Sequence, residues 1–223
     1  MSINDKQSIK CPKCSHLNEV TVLTSITSDD SADLKKDLLS AKINMLRCDN
    51  CSYTALLPNP LLYHDKEKKL MISFTPCNDN DKKLELFNSI KKTSKESGEL
   101  NNLENYNLRF VTNYDTLLEK ILIFDNELHD KVIEVLKVLI LTQEPEKADQ
   151  RIAVFGKKED DYLEFLIRDI KENQFYTSRI PTESYKTIKT QLSQSGVKYK
   201  SFDWEIIDID YGASLLRGAN NIL

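Results

Sequence analysis

The sequence predicts an α+β protein with a cysteine-bearing N-terminal domain, a central helical segment and a small α+β part at the C-terminal end. Three observations predict this fold class. The motifs CPKC and CDNC, at residues 11–14 and 48–51, each precede strand-like residues. Apolar residues recur at helical spacing between residues 117 and 139, and three strand-like runs follow residue 150.

Length and composition are typical of a globular protein with more than one domain. The chain has 223 residues, more than the roughly 100–150 residues of a usual domain. Charged residues make up 30% of the sequence, and the formal net charge is -4. No segment approaches the roughly 20 apolar residues that span a bilayer, and the N-terminus has no apolar signal-peptide core. We therefore expect a cytoplasmic protein with no membrane partner.

A helix is predicted between the two cysteine motifs. Leu34, Leu38 and Leu39 lie at helical spacing. Either Asp30 or Ser31 can cap the start of this helix. The N-terminal domain is therefore expected to hold an inserted helix within its cysteine-bearing part.

A β-hairpin and a loop are predicted next. Two apolar runs within residues 61–74 flank the charged sequence DKEKK, a pattern typical of a hairpin. The sequence that follows is mostly polar, although Leu84, Phe87 and Ile90 allow a short helix. We expect residues 94–107 to form a mobile loop because small and polar residues dominate there.

Two helices and a domain boundary are predicted after a short strand at residues 109–111. The helices are indicated by two apolar sets at helical spacing: Leu117, Leu118, Ile121 and Leu122, then Val132, Ile133, Leu136 and Leu139. Pro145 cannot continue a helix, and polar residues surround it. We therefore assign residues 1–142 to the first domain and residues 151–223 to the second.

The second domain is predicted to be a small α+β unit. Its strands are expected at RIAVFGK, YLEFLIRDI and FYTSRIP. A helix should follow, with Pro181 near its first turn and Gly196 as a C-cap candidate.

The alternating sequence SFDWEIIDID predicts a last strand at residues 201–210. Asp208 and Asp210 would point the same way from such a strand. Magnesium binding there is conceivable, but a solvated strand face is the ordinary explanation.

The two CxxC motifs predict a metal site. A tight turn brings two thiolates to one ion, and two such turns complete a tetrahedral site. Its ligands would be Cys11, Cys14, Cys48 and Cys51. We expect one Zn²⁺ per chain, although soft thiolates also bind iron. A closed four-thiolate site has no open position for water, which indicates a structural metal.

Other interpretations of the cysteines and of a nearby histidine stay open. The thiols could be reduced and metal-free, or one CxxC pair could serve a thiol oxidoreductase. A redox pair usually begins a helix after a strand, whereas each pair here precedes a strand. His16 could replace a cysteine, although four cysteines already fill the site. Cys77 has no partner motif and is interpreted as a buried or incidental thiol.

No catalytic residue is predicted. His64, Asp65 and Glu67 could share a proton, but they fall at the predicted hairpin turn without a nucleophile or an oxyanion motif. The five glycines are too scattered to form a Walker loop or a dinucleotide fingerprint. The sequence therefore does not indicate an enzyme.

Charged residues do not indicate a nucleic-acid partner. Neither half of the sequence has a clear excess of basic residues, which nucleic-acid binding usually requires. His129, Asp130 and Glu134 are interpreted as an exposed helix start. We expect a protein partner, with nucleic acid as the alternative.

Four segments carry a resemblance to a known family: CPKC, CDNC, LLYHDKEKKLMI and RFVTNYDTLLEKILIFDNELHDKVIEVLK. Over roughly residues 8–140 the chain resembles the CpXC-domain family of bacteria and archaea. The resemblance implies a zinc-ribbon-like domain without an assigned activity, and its implied ligands are the four cysteines named above. Ser15 and Ser52 stand where this family often has glycine. The second motif, CDNC, has Asp49 where CPKC has Pro12. Glycine favours the left-handed turn of a zinc knuckle.

Taken together, the motifs predict a non-enzymatic zinc-binding protein. A four-cysteine structural zinc would support a protein-interaction module in a zinc-ribbon-like domain with an inserted helix and a β-hairpin. A nucleic-acid-binding zinc ribbon is the alternative, and a thiol oxidoreductase is the third hypothesis.

Overall fold

Helices and sheets occur in both parts of the computed structural model, so the predicted α+β fold class is confirmed. The structure describes residues 2–28, 32–98, 103–201 and 203–218. The chain divides into a first unit, Met1–Leu118 with Ser201–Glu205, and a second unit, Glu119–Lys200 with Ile206–Leu223. The predicted boundary between residues 142 and 151 concerns independently folding domains and stays a prediction.

Strands of the first unit form two sheets. In chain order they are β1 (Ile3–Lys10), β2 (Leu17–Thr27), β3 (Met45–Arg47), β4 (Thr54–Leu56), β5 (Leu61–Asp65), β6 (Leu70–Phe74) and β7 (Asn107–Val111). β3 and β4 form an antiparallel ribbon, and the others form one sheet in the order β1-β2-β5-β6-β7. β1/β2 and β5/β6 are antiparallel, whereas β2/β5 and β6/β7 are parallel. The hairpin predicted within residues 61–74 is therefore confirmed.

The helix predicted between the cysteine motifs is present as α1 (Ala32–Leu39). Its Leu38 is fully buried, as expected for the apolar face of an amphipathic helix. The predicted capping residues Asp30 and Ser31 lie outside the described residues.

The second helix, α2 (Asn80–Glu96), is longer than predicted and shortens the predicted loop. Residues 94–96 belong to this helix and residue 107 begins β7, so the loop prediction is wrong at both ends. Ser94 is buried and accepts a hydrogen bond from the indole nitrogen of Trp204 at 3.0 Å. This contact secures the last turn of α2. Residues 99–102, also within the predicted loop, lie outside the described residues.

The second unit combines a sheet with helices. After α3 (Tyr114–Asp125), which begins in the first unit, come α4 (Asp130–Leu141), a 3₁₀ helix (Pro145–Gln150), β8 (Arg151–Lys158), β9 (Tyr162–Asp169), β10 (Gln174–Pro181), α5 (Thr182–Gln194) and α6 (Ile209–Gly218). The sheet is antiparallel, in the order β10-β9-β8. The predicted helices and strands between residues 114 and 194 are therefore confirmed. Gly196 follows the C-cap of α5 with a φ of 82°, as a glycine after a helix often does.

One face of this sheet builds the core of the second unit. Ala153, Phe155, Leu163, Phe165 and Ile167 lie on that face and are buried. They belong to one apolar cluster with residues of α4 and α5. Successive strand residues alternate between the two faces, so the intervening residues lie on the opposite face.

The strand predicted for residues 201–210 is wrong. Glu205 makes an isolated parallel bridge with Arg109, and a helix, α6, begins at Ile209. The Asp208 side chain accepts a hydrogen bond from the Tyr211 N–H at 3.2 Å, as a helix-capping residue does. Asp208 and Asp210 are therefore not neighbours on a strand face. Within the described ranges, no helix is both long and apolar enough to cross a membrane.

Candidate metal centre

The first cysteine pair lies in the turn that joins β1 to β2. The Cys11 N–H donates to the carbonyl oxygen of His16 at 2.8 Å, which closes the antiparallel ladder. The Ser15 N–H donates to the carbonyl oxygen of Cys11 at 2.9 Å. Together these bonds fold the four-residue segment from Cys11 to Cys14 back on itself, so both thiols project from one turn.

The second pair lies in the turn between β3 and β4, and this turn repeats the same bonds. The Cys48 N–H donates to the Tyr53 carbonyl oxygen at 2.9 Å, and the Ser52 N–H donates to the Cys48 carbonyl oxygen at 2.9 Å. Ser52 and its counterpart Ser15 have φ values of 54° and 64°, in the left-handed region. The sequence-based expectation of two knuckle turns with serine at a glycine-favouring position is therefore confirmed.

The four cysteine sulfurs converge on one point. The Sγ atoms of Cys11 and Cys51 are 3.7 Å apart, and those of Cys14 and Cys48 are 3.5 Å apart. All four lie within 4.8 Å of one another. A tetrahedral site with Zn–S bonds of about 2.3 Å has sulfur–sulfur edges of about 3.75 Å, whereas a disulfide is about 2.05 Å long. The donors therefore fit a single tetrahedral thiolate-binding metal ion.

A buried asparagine, Asn18, connects the two turns. Its side-chain oxygen accepts a hydrogen bond from the N–H of Asp49, between the two cysteines of the second pair, at 3.1 Å. Its amide nitrogen donates to the carbonyl oxygen of His16 at 3.0 Å. Asn18 was not predicted from the sequence. The one available signal was a polar side chain near the start of a predicted strand.

A second asparagine, Asn44, attaches the β3–β4 ribbon to β2. Its side chain accepts from the Leu23 N–H at 2.7 Å and donates to the Leu23 carbonyl oxygen at 2.9 Å. Its own carbonyl oxygen accepts from the Leu57 N–H at 2.7 Å. Asn44 thus replaces one residue of a strand ladder and sets the position of the ribbon that carries the second cysteine pair.

The thiols have unequal acidities. A hydrogen bond from the Asn50 side chain lowers the pKa of Cys14 to about 6. Burial raises the pKa of Cys48, but hydrogen bonds, mainly those from the backbone of Cys51 and Asn50, lower it overall. A backbone hydrogen bond from Tyr53 lowers the pKa of Cys51, yet burial and the neighbouring thiols together raise it to about 12. A bound cation would replace the shared protons and favour thiolates throughout.

Two other predicted candidates lie outside this cluster. Among the described residues, every potential metal ligand in this cluster is a cysteine. The His16 side chain is exposed. His16 contributes its backbone carbonyl oxygen to the first turn instead. The Cys77 thiol donates to the carbonyl oxygen of Asp79 at 3.3 Å and stands apart from the four-sulfur group.

His64, Asp65 and Glu67, at or next to the β5–β6 turn, have separate structural roles. Asp65 is buried and accepts a hydrogen bond from the Lys68 N–H at 2.9 Å, which closes the turn. Nε2 of His64 lies 3.1 Å from the Tyr106 hydroxyl, and Glu67 is exposed. His64 and Asp65 are the last two residues of β5, so the predicted placement in the turn is right for Glu67 and wrong for His64 and Asp65.

The prediction of an exposed helix start around His129 is wrong, because the helix and its charges are buried. The charges belong to a buried ionic cluster of Glu119, Lys120, Asp130, Glu134 and Lys137. Nζ of Lys120 lies 2.8 Å from Glu134 and 3.5 Å from Asp130. The signal for burial was that apolar residues occur all around α4, which is typical of a buried helix.

Comparison with known proteins identifies the family. A family model described as CpXC protein matches residues 9–137, more than half of the chain, and the match includes both cysteine pairs. No curated protein and no solved structure matches the chain. With the paired turns and the converging sulfurs, the extent of this match shows that the chain belongs to the CpXC family.

Proposed function

We propose that Cys11, Cys14, Cys48 and Cys51 bind one Zn²⁺ ion, and that this ion holds together a zinc-ribbon-like, non-enzymatic protein-interaction module. The observation that carries the proposal is the convergence of the four sulfurs from two matching turns. Their separations of 3.5 and 3.7 Å are close to the edge of about 3.75 Å in a tetrahedral zinc–thiolate site. Zinc is the usual ion of closed four-cysteine sites.

The arrangement supports a structural ion better than catalysis by metal or thiol. Four thiolates complete a tetrahedral shell, which leaves no position at which the metal could activate water. In each pair the first cysteine is buried and the second is half-buried, whereas a catalytic thiol needs access to its substrate. All five cysteines lack a disulfide, which suits a reducing compartment, so we place the protein in the cytoplasm.

A cleft at the end of β4 supports a protein partner. The cleft has a volume of about 540 Å³, and Leu56, Leu57 and Pro58 form one wall. They lie at the end of β4 and just beyond it, at the end of the β3–β4 ribbon away from the turn that holds Cys48 and Cys51. Phe74, Tyr114, Asp79 and Lys82 are among the other lining residues. An apolar wall with polar groups at its margin is typical of a protein-binding surface.

Metal content tests the first half of the proposal. Mass spectrometry of the purified protein should find about one zinc ion per chain. A Cys48→Ser/Cys51→Ser double variant should lose the ion and unfold the first unit. Cys77→Ser is the matched control, since Cys77 lies outside the four-sulfur group, and it should keep the ion. A metal-free wild-type protein together with a folded double variant would overturn the proposal, and iron in place of zinc would change the ion assigned.

Affinity capture tests the second half. Proteins bound by the zinc-loaded chain should be lost with Leu56→Asp, which places a charge in the cleft. Leu17→Asp is the control because Leu17 is exposed and does not line the cleft. Partners that bind both variants equally, or turnover of a substrate by the purified chain, would contradict the assignment of a protein-interaction module.

A further inference from the structure

The three-stranded sheet of the second unit has an outer face, opposite the face that builds the core, that carries both large apolar and charged residues. On it, Ile152, Leu166 and Phe175 are 49%, 48% and 70% exposed. These exposures show that no described element of the second unit covers this face. Large apolar residues grouped on an exposed sheet face usually mark an interaction surface.

Strand register arranges the outer face in three rows across β8, β9 and β10. The rows are Ile152, Arg168 and Phe175; then Val154, Leu166 and Thr177; then Lys157, Glu164 and Arg179. The central row is uncharged. It lies between a row with Arg168 and a row with Glu164, so β9 presents a positive, an apolar and a negative residue in succession.

We propose that the outer face is a self-association surface on which a second copy of this chain packs face to face. A two-fold axis along the central row would reverse the strand direction of the second copy. Leu166 would then lie against Leu166 of the second copy, and each Arg168 against Glu164 of the other. Because the contact is isologous, this pair of opposite charges would form twice in the dimer.

The same axis matches the remaining outer residues. Phe175 would lie against Arg179 of the second copy, a favourable cation–π arrangement. Within one chain, both arginines already stack on rings: the guanidinium carbon of Arg168 is 5.8 Å from the Phe175 ring centre, and that of Arg179 is 4.8 Å from the Tyr162 ring centre. Ile152 of the second copy would lie against the alkyl chain of Lys157, whose ammonium group forms an ion pair with Glu159 at 2.7 Å. The neighbouring Gly156, where a Cβ would be 3.6 Å from the Leu166 side chain, presents no side chain at this point.

A second copy suits this face better than a nucleic acid or a lipid surface. Phosphate groups would meet the carboxylate of Glu164 in the same row as Arg179, with which it forms an ion pair at 3.0 Å. The order of Arg168, Leu166 and Glu164 along β9 is complementary to its own reverse, so a second copy of the same strand provides the matching charges. The inference goes beyond the proposed zinc module, because the face lies in the second unit.

The area indicates a weak, concentration-dependent dimer. Three strands about 4.8 Å apart, over about five residues of about 3.4 Å each, cover roughly 250 Å² per copy. Stable interfaces bury about 800 Å² per partner. Dissociation constants in the micromolar range or weaker are therefore expected, and the measurement has to reach concentrations of about 500 μM.

Sedimentation equilibrium of the full, metal-loaded chain tests the proposal. Arg168→Glu and Glu164→Arg should each raise the dissociation constant by roughly tenfold or more, because each variant places like charges opposite each other. An equimolar mixture of the two variants should dimerise within about threefold of the wild-type constant, because both charge pairs are then restored. No merely structural effect of the substitutions predicts this recovery.

Two further variants complete the experiment. Leu166→Glu should abolish association, whereas Leu84→Glu, at an exposed leucine on α2, should leave it unchanged. A wild-type chain that stays monomeric up to about 500 μM, or a mixture that associates no better than either single variant, overturns the proposal. So does an oligonucleotide that binds the wild-type monomer and is lost with Arg168→Glu, since that result would assign the face to nucleic acid.

Discussion

The side chain of Asn18 accepts a hydrogen bond from the backbone N–H of Asp49 at 3.1 Å, and this bond joins the two cysteine turns. The Asn18 amide nitrogen also donates to the carbonyl oxygens of His16 and Ile9, at 3.0 and 3.4 Å. Asn18 itself is buried. One side chain therefore sets the separation of the two cysteine pairs through groups of both turns.

Replacement of Asn18 by alanine should leave the Asp49 N–H and the His16 carbonyl oxygen without their partner. We expect Asn18→Ala to lower the free energy of unfolding by about 2–3 kcal/mol, and metal affinity by roughly tenfold. Urea unfolding and competition with a zinc chelator measure the two effects. Asn4→Ala, at an exposed position on β1, is the matched control. Equal losses in the two variants would contradict the role of Asn18.

Glycine at either knuckle serine should stabilise the protein. Ser15 and Ser52 have φ values of 64° and 54°, where a Cβ is sterically unfavourable. We expect Ser15→Gly and Ser52→Gly each to raise the free energy of unfolding of the metal-loaded chain by about 0.5–1 kcal/mol. Ser8→Gly, in the extended backbone of β1, should lower it instead. Thermal unfolding measures the stability change of each variant. A loss of stability in all three variants would show that the positive φ of Ser15 and Ser52 does not strain the backbone.

Turn residues and apolar periodicity were enough to predict some helices, strands and turns from the sequence. The structure of other segments depends on long-range contacts and was not predicted. The CxxC turns, the β5–β6 hairpin and the helices of residues 114–141 follow from turn chemistry and apolar periodicity. The sequence gives no signal for β1, because INDKQSIK is polar and largely exposed along its length, and pairing with β2 makes it a strand. The alternation in SFDWEIIDID predicted a strand where Asp208 caps a helix instead.

The helix α6 was not predicted from the sequence, because tertiary packing determines its position. A Cβ on Gly212 would lie 2.7 Å from the Glu134 backbone, so glycine allows α6 to approach α4 closely. In the site, the four cysteines are recognisable from their spacing alone. The supporting roles of Asn18, Asn44 and Asn50 depend on which backbone groups and thiols the fold brings to them, and sequence spacing carries no such information.

Asp65 should make the stability of the first unit depend on acid pH. Burial raises its pKa, but the Lys68 N–H and the charge of Lys35 lower it more, so the net pKa lies below 3.8. A lowered folded-state pKa stabilises the protein fully above about pH 4, and this stabilisation is lost as the pH falls through the folded-state value. We expect Asp65→Asn to be less stable at neutral pH and to lose less stability on acidification.

Urea unfolding at a series of pH values measures this dependence. Glu67→Gln is the matched control, because Glu67 lies in the same turn and is exposed. The control should retain the wild-type pH profile. An Asp65→Asn profile that runs parallel to the wild-type profile at acid pH would show that another carboxyl group causes the dependence.

Lys137 should be a major determinant of stability in the second unit. Its Nζ lies 3.1 Å from Glu119 and 2.9 Å from Glu134, and all three residues are buried. Burial lowers the pKa of Lys137, but the two carboxylates raise it further, so the ammonium group stays charged. Lys137→Met would leave two buried carboxylates without this cation. We expect the free energy of unfolding, measured by urea unfolding, to fall by about 3–5 kcal/mol.

Two further variants separate loss of charge from loss of packing. Lys147→Met removes a lysine from an exposed ion pair with Glu144, and it should change stability far less than Lys137→Met. Lys137→Met combined with Glu119→Gln removes one of the carboxylates that lost its cation. The new glutamine keeps an oxygen for the Phe155 N–H, which donates to Glu119 at 2.7 Å. The double variant should therefore recover part of the loss. If it is no more stable than Lys137→Met, the cost comes from packing around the lysine stem and the electrostatic explanation is wrong.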